Sequence, residues 1–214
     1  MNNDECMLRI RKEKKDYKEM ILKNETITLD KFNILSNKFY NGENLFTFGK
    51  INTGKNTLID SILSEKENQL YVINSFKNLK MMINEKNLFS TNNYKKIYNI
   101  NFHFNKDILE EISKNPNIMN FIKENNIVIY LDEMFFSIGH YEDEQKYIKN
   151  LDYFENIIKN GIQVIGTFYF PENETKNLYS YFKNLNINVT LIQCIREFPS
   201  NKRLVKDIKE IKCN

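Results

Sequence analysis

45-LFTFGKINTGKNTLIDSIL-63 is the stretch that decides the fold. It begins as an apolar run of strand length, passes through a loop bounded by Gly49 and Gly54, and continues as an amphipathic helix from Lys55. A strand that enters a tight loop and leaves as a helix gathers backbone N–H groups and the positive end of the helix at one point. Glycine is wanted wherever a side chain would obstruct the approach of an anion. The segment therefore predicts a cradle for phosphate oxygens, with Lys55 reaching the outermost ones as a point charge.

Gly49, Lys50, Ile51, Asn52, Thr53, Gly54 and Lys55 satisfy the G-x-x-x-x-G-K part of the Walker A pattern. With Asn56 and Thr57 they form the expected ATP-binding set. The pattern normally continues with a Ser or Thr whose hydroxyl meets Mg²⁺, and here Asn56 stands in that place. An amide oxygen is a neutral ligand that magnesium accepts. Thr57 offers a hydroxyl, but one helical step turns it by about 100° from its neighbour.

Downstream, 127-IVIYLDEMFF-136 is an apolar run ending in two acids, the Walker B form. Asp132, at the carboxyl end of a buried strand, is placed for the magnesium shell, giving Asn56, Thr57 and Asp132 as the expected metal set. Glu133 is the expected group that polarises the attacking water. In 161-GIQVIGTFYFPEN-173 a further apolar run leaves the core before a proline, and its tip offers Thr167 and Tyr169 to sense a terminal phosphate. Four arginines exist, Arg9, Arg11, Arg196 and Arg203. Arg196 is the first choice for a finger supplied by a neighbouring subunit, with Arg203 second. The expected catalytic set is Lys55, Glu133 and Arg196.

Strand-length runs at 45–49, 69–74, 96–102, 127–132, 162–170 and 188–195 alternate with helical stretches at 55–66, 75–88, 106–124, 144–160 and 173–185. Near-continuous apolar strands separated by helices imply an α/β, three-layer fold with a mostly parallel central sheet covered on both faces. Residues 1–44 are polar and lysine-rich and read as a basic N-terminal extension packed on or beside the core, with a helix over 8–23; 45–214 reads as the ATPase domain. The 214 residues are 41% hydrophobic and 28% charged with a net charge of +3, which allows a core and does not by itself call for nucleic acid. Cys6, Cys194 and Cys213 lie far from His103 and His140 in sequence and have no zinc-ligand spacing. The odd cysteine count, no leader pattern and no apolar run of membrane-spanning length together predict a soluble protein of a reducing compartment.

The order of these parts resembles the FtsK–HerA superfamily of P-loop ATPases, and within it the genome-packaging ATPases of double-stranded DNA viruses. The likeness lies in Asp132-Glu133 followed by aromatics, in 161-GIQVIGT-167 and in Arg196-Glu197, and covers roughly 45–205. It departs at Asn56, where the family has Ser or Thr, and at Phe168, where the family's sensor strand usually has Gln. The resemblance implies a RecA/FtsK-like fold, ATP and Mg²⁺ as ligands, and a homo-oligomeric ring, often a hexamer. It further implies double-stranded DNA in the channel, capsid or portal partners, and a cytoplasmic or virion-associated protein. Lys77, Lys80, Lys95 and Lys96 are the channel lysines it suggests. The alternatives are a nucleotide-binding assembly protein without hydrolysis and an assembly ATPase of the filamentous-phage type.

Overall fold

The apolar run at 45–49 becomes strand β1 (Asn44–Gly49), with every residue from Leu45 buried. The computed structural model describes residues 18–64, 70–73, 79–80, 95–101, 106–135, 144–169 and 175–212. Along them lie α1 (Leu29–Tyr40), β1, α2 (Lys55–Ser64), β2 (Leu70–Ile73), β3 (Lys95–Asn101), α3 (Lys106–Lys114) and α4 (Pro116–Glu124). There follow β4 (Ile127–Phe135), α5 (Glu144–Lys159), β5 (Val164–Tyr169), α6 (Thr175–Asn184), β6 (Val189–Arg196) and β7 (Arg203–Ile211). The strands form one sheet in the order β2-β3-β4-β5-β1-β6-β7. All neighbours are parallel except β6 and β7, which pair antiparallel.

The period-2 alternation of the strands sorts the core into two apolar layers. On one face Phe46 stacks on Phe168 and Phe182 with ring centroids 5.0 and 5.2 Å apart, and meets Phe154 edge-on at 5.7 Å. Leu109, Ile112, Ile118 and Ile122 from α3 and α4 close the same layer. On the other face Leu45, Tyr130, Ile165 and Ile192 meet Leu58 and Ile62 of α2 and Phe32, Leu35 and Phe39 of α1. Helices cover both faces, so the three-layer α/β fold expected from the sequence is the one formed.

Three local departures have physical causes. The stretch 106–124 is two helices, not one. Pro116 excludes Asn115 from the helical region, and the Asn115 side chain then caps α4 by accepting from the N–H groups of Asn117 and Ile118. Helix α1 lies within residues 1–44, where a helix was expected only at 8–23. Its Phe32, Leu35 and Phe39 recur at helical spacing and are fully buried, and Thr28 caps its start. Strand β7 had no counterpart among the six runs. A bulge between Gln193 and Cys194 shifts its register, so its apolar residues Leu204, Val205, Ile208 and Ile211 fall at spacings that imitate a helix. The expected helices at 8–23 and 75–88 fall largely outside the described residues, as do Cys6, Lys77, His103, His140 and Cys213.

Candidate nucleotide site

The sheet order sets the site. Strand β5 is inserted between β1 and β4, so the loop after β1 and the acids on β4 face each other across one intervening strand tip.

Gly49 leaves β1 with φ +145°, and a Cβ there would stand 2.1 Å from the Cys194 carbonyl oxygen of β6. Only glycine fits. The loop then uses Asn52 at φ 62° and Gly54 at φ 89°, a left-handed conformation that asparagine tolerates better than most side chains. Thr53 is buried and its hydroxyl donates to the Lys50 carbonyl at 2.9 Å, bracing the loop from within. The Lys55 ammonium folds back to the same carbonyl at 2.6 Å. From Gly54 the backbone turns into α2, whose first helical bond runs from Leu58 N–H to the Gly54 carbonyl. The first-turn amides of a helix have no intrahelical acceptor, and no acid stands in the first turn of α2 to neutralise its positive end. Residues 51–57 line a cavity of about 460 Å³ together with Thr167, Tyr169 and Arg203.

Asn56 points across this cavity to the second motif. Its Nδ2 donates to Asp132 Oδ1 at 2.8 Å, and the Thr167 hydroxyl donates to the same oxygen at 3.1 Å. A carboxylate only accepts, so the Asn56 amide must present its NH₂ to Asp132 and turn its own oxygen away. Thr167, fully buried, therefore holds Asp132 in position. The pairing of β4 with β5 slips between Leu131 and Met134. Two residues, Asp132 and Glu133, thus stand opposite Thr167, the arrangement of a β-bulge. The backbone of Glu133 lies in β4 beside Asp132.

Of the two arginines singled out, Arg203 and not Arg196 reaches the loop cavity. Its aliphatic stem lies over Gly54, with Cδ 3.3 Å from where a Cβ would be. Arg196 pairs with Arg203 across the β6–β7 ladder and lines an adjoining cavity of about 520 Å³. Arg203 escaped notice as a loop residue because its strand was not recognised. Of the suggested channel lysines, Lys80 forms an ion pair with Glu111, and Lys95 and Lys96 belong to β3.

Burial pushes the Cys194 thiol up to about 12, against a smaller opposing pull from Lys55. The thiol under the loop is thus neutral and unreactive at physiological pH.

The residues suit the ligands that the motifs imply. Backbone at positive φ, an unneutralised helix start and Lys55 suit a polyphosphate. Among the described residues no three His, Cys, Asp or Glu converge. A single carboxylate is nonetheless a donor set magnesium takes when phosphates and waters complete its shell, and the Asn56 oxygen would join it on turning from Asp132. Asn56, Thr57 and Asp132 would hold it.

Fold and site together define a P-loop NTPase fold with an extra strand between the two Walker strands. No family model matches the sequence, and no curated protein does. Among solved structures, a KaiC-like protein from the hyperthermophilic archaeon Pyrococcus horikoshii OT3 is similar over 81% of this chain and 83% of that one, at 16% identity and a TM-score of 0.43. No helix among the described residues is long and apolar enough to cross a membrane.

Proposed function

We propose that the chain binds and hydrolyses ATP with Mg²⁺ and, in a homo-oligomeric ring, uses the turnover to move double-stranded DNA, as in the packaging of a viral genome. One observation carries the enzymatic part: the 2.8 Å contact from Asn56 to Asp132, which brings the phosphate loop and the acid strand into one site. The loop amides and Lys55 bind and orient the phosphates. Glu133, next to the anchored Asp132, takes the role of general base towards the attacking water. When bound, Mg²⁺ supplies positive charge to the β- and γ-phosphate oxygens. The DNA-moving part rests on the resemblance in motif order over 45–205.

The test is turnover of Mg-ATP by the purified chain with and without double-stranded DNA. The expected result is hydrolysis that DNA accelerates and that Glu133→Gln abolishes while nucleotide binding persists. Turnover unaffected by Glu133→Gln refutes the site, and turnover indifferent to DNA refutes the motor.

A second reading, a nucleotide-binding assembly protein without hydrolysis, is favoured by the same contact. The Asn56 NH₂ occupies an Asp132 oxygen that a metal shell would use. ATP binding that is insensitive to Mg²⁺, with no turnover, would select this reading.

A further inference from the structure

The sheet gives the bound polyphosphate a direction. On one side of β1, towards β5 and β4, stand Thr167, Asp132 and Glu133, so the reacting end of the chain of phosphates faces that way. The other end must leave on the opposite side, over β6 and β7. There the loop cavity adjoins the second cavity of about 520 Å³, and the two share Gly54, Thr57 and Arg203. The walls of this second cavity are the segment 20–26 before α1 and the turn 196–203 between β6 and β7.

The two walls are tied. Val205 N–H donates to the Thr26 carbonyl at 2.8 Å, and Lys202 is ion-paired with Glu25. The Lys202 hydrogen bond and charge hold the Glu25 carboxyl below its ordinary range.

Chemical character changes along the cavity. At the loop end stands Arg203, with Arg196 as its ladder partner. The Arg196 Nε–H is buried and meets no acceptor among the described residues, and neither arginine has a carboxylate partner among them. Two arginines at facing ladder positions, without a counter-charge among the described residues, fit an anionic group at this end. Lining the second cavity and not the loop cavity, Asn24 and Asn201 supply amides, and Met20 and Ile21 give an apolar surface. Cations, amides, and thioether and aliphatic carbon are the surfaces that the α-phosphate, ribose and base of a nucleotide call for.

We infer that the second cavity is the nucleoside chamber of the site: Arg203 and Arg196 hold the phosphate nearest the ribose, and the base lies on Met20 beside Asn24. The N-terminal segment is therefore a wall of the nucleotide site. This rests on the phosphate-loop reading, and the experiment separates the two.

Isothermal titration of the full chain with ATP and with inorganic tripolyphosphate, both in Mg²⁺, reads each half of the site. Tripolyphosphate can engage the loop and the arginines but offers no ribose or base. The expected result is ATP binding at least about tenfold tighter than tripolyphosphate, the scale of one or two added contacts. The double substitution Met20→Ala and Asn24→Ala, both at exposed positions, should weaken ATP about tenfold and leave tripolyphosphate within about twofold. Retained tripolyphosphate binding also reports that the variant is folded. Equal affinity of the wild type for both probes, or equal weakening of both by the variant, overturns the chamber and leaves the loop standing. A wild type that binds neither probe overturns the phosphate-loop reading and the chamber with it.

Discussion

Replacing Asn56 by aspartate keeps the shape of the side chain and exchanges its NH₂ for a second carboxylate oxygen. In the wild type that NH₂ donates to Asp132 Oδ1 at 2.8 Å in a half-buried setting. Losing a hydrogen bond to a charged acceptor costs about 1.5–3 kcal/mol. Two like charges about 4 Å apart at an effective dielectric of roughly 20 add about 4 kcal/mol. The pair can escape by binding one proton, which restores a hydrogen bond. At pH 7 that costs roughly 4 kcal/mol, about three pH units above an ordinary carboxylate at about 1.4 kcal/mol each. Protonation is the cheaper route, so it sets the destabilisation at pH 7. The native pair then carries a proton that the unfolded chain lacks, and stability falls as pH rises from the ordinary carboxylate range to the raised value of the pair. The penalty should shrink by about 1.4 kcal/mol per pH unit, to roughly 1.5 kcal/mol at pH 5. Urea denaturation of both proteins at pH 5, 6, 7 and 8 measures it. Parity with the wild type at pH 7, or a penalty that does not change with pH, would refute the contact between loop and acid.

Gly49→Ala drives a methyl group into the Cys194 carbonyl at 2.1 Å in a backbone conformation alanine resists, so unfolding free energy should drop by about 3 kcal/mol or more, read by chemical denaturation. Cys194 should stay unmodified by a thiol reagent at pH 8 in the folded chain and react once urea is added, as peptide mass spectrometry would report; modification at the folded-state rate of an exposed thiol would contradict its burial. Lys38 links α1 to β7 through Glu43 and Glu210 at 2.8 and 3.0 Å. Desolvation works against its charge, but the two carboxylates prevail and hold its pKa above the ordinary lysine value, while Lys38 holds that of Glu210 below the carboxylate value. Lys38→Met should therefore lower stability by at most about 1 kcal/mol near neutral pH. That difference should fade as pH falls through the depressed carboxylate range or rises through the raised lysine value; a constant difference across pH would remove the ion pairs as its cause.

The sheet was legible because its strands are buried on both faces and read as unbroken apolar runs. What escaped was half-exposed or set by distant pairing. Strand β7 carries lysines and acids on its open side and takes its register from a bulge in its pairing with β6, so no local pattern announced it. The place of Arg203 beside the loop went unforeseen with it. Pro116 was a legible signal for the break between α3 and α4, and 29-LDKFNILSNKFY-40 one for α1. In the site, Gly49, Gly54, Lys55 and Asp132 declare themselves through motif spacing. The work of Thr167 does not. It depends on a strand that folds in between β1 and β4, and on a register slip at Leu131 that brings two β4 residues opposite it.

Neighbouring strands lie about 4.8 Å apart, so inserting β5 sets the tips of β1 and β4 roughly 10 Å from one another. That gap is spanned by two polar struts, one from α2 and one from β5, which end on a single oxygen of Asp132. The acid is thereby indexed to the loop like a caliper jaw to its fixed arm. Gly166 lies within the same span, where an added methyl would crowd Leu131 O at 2.9 Å and the Phe46 ring at 3.2 Å. A change that widens β5 in the core would be read at the mouth as a misplaced carboxylate, with every phosphate-binding residue intact.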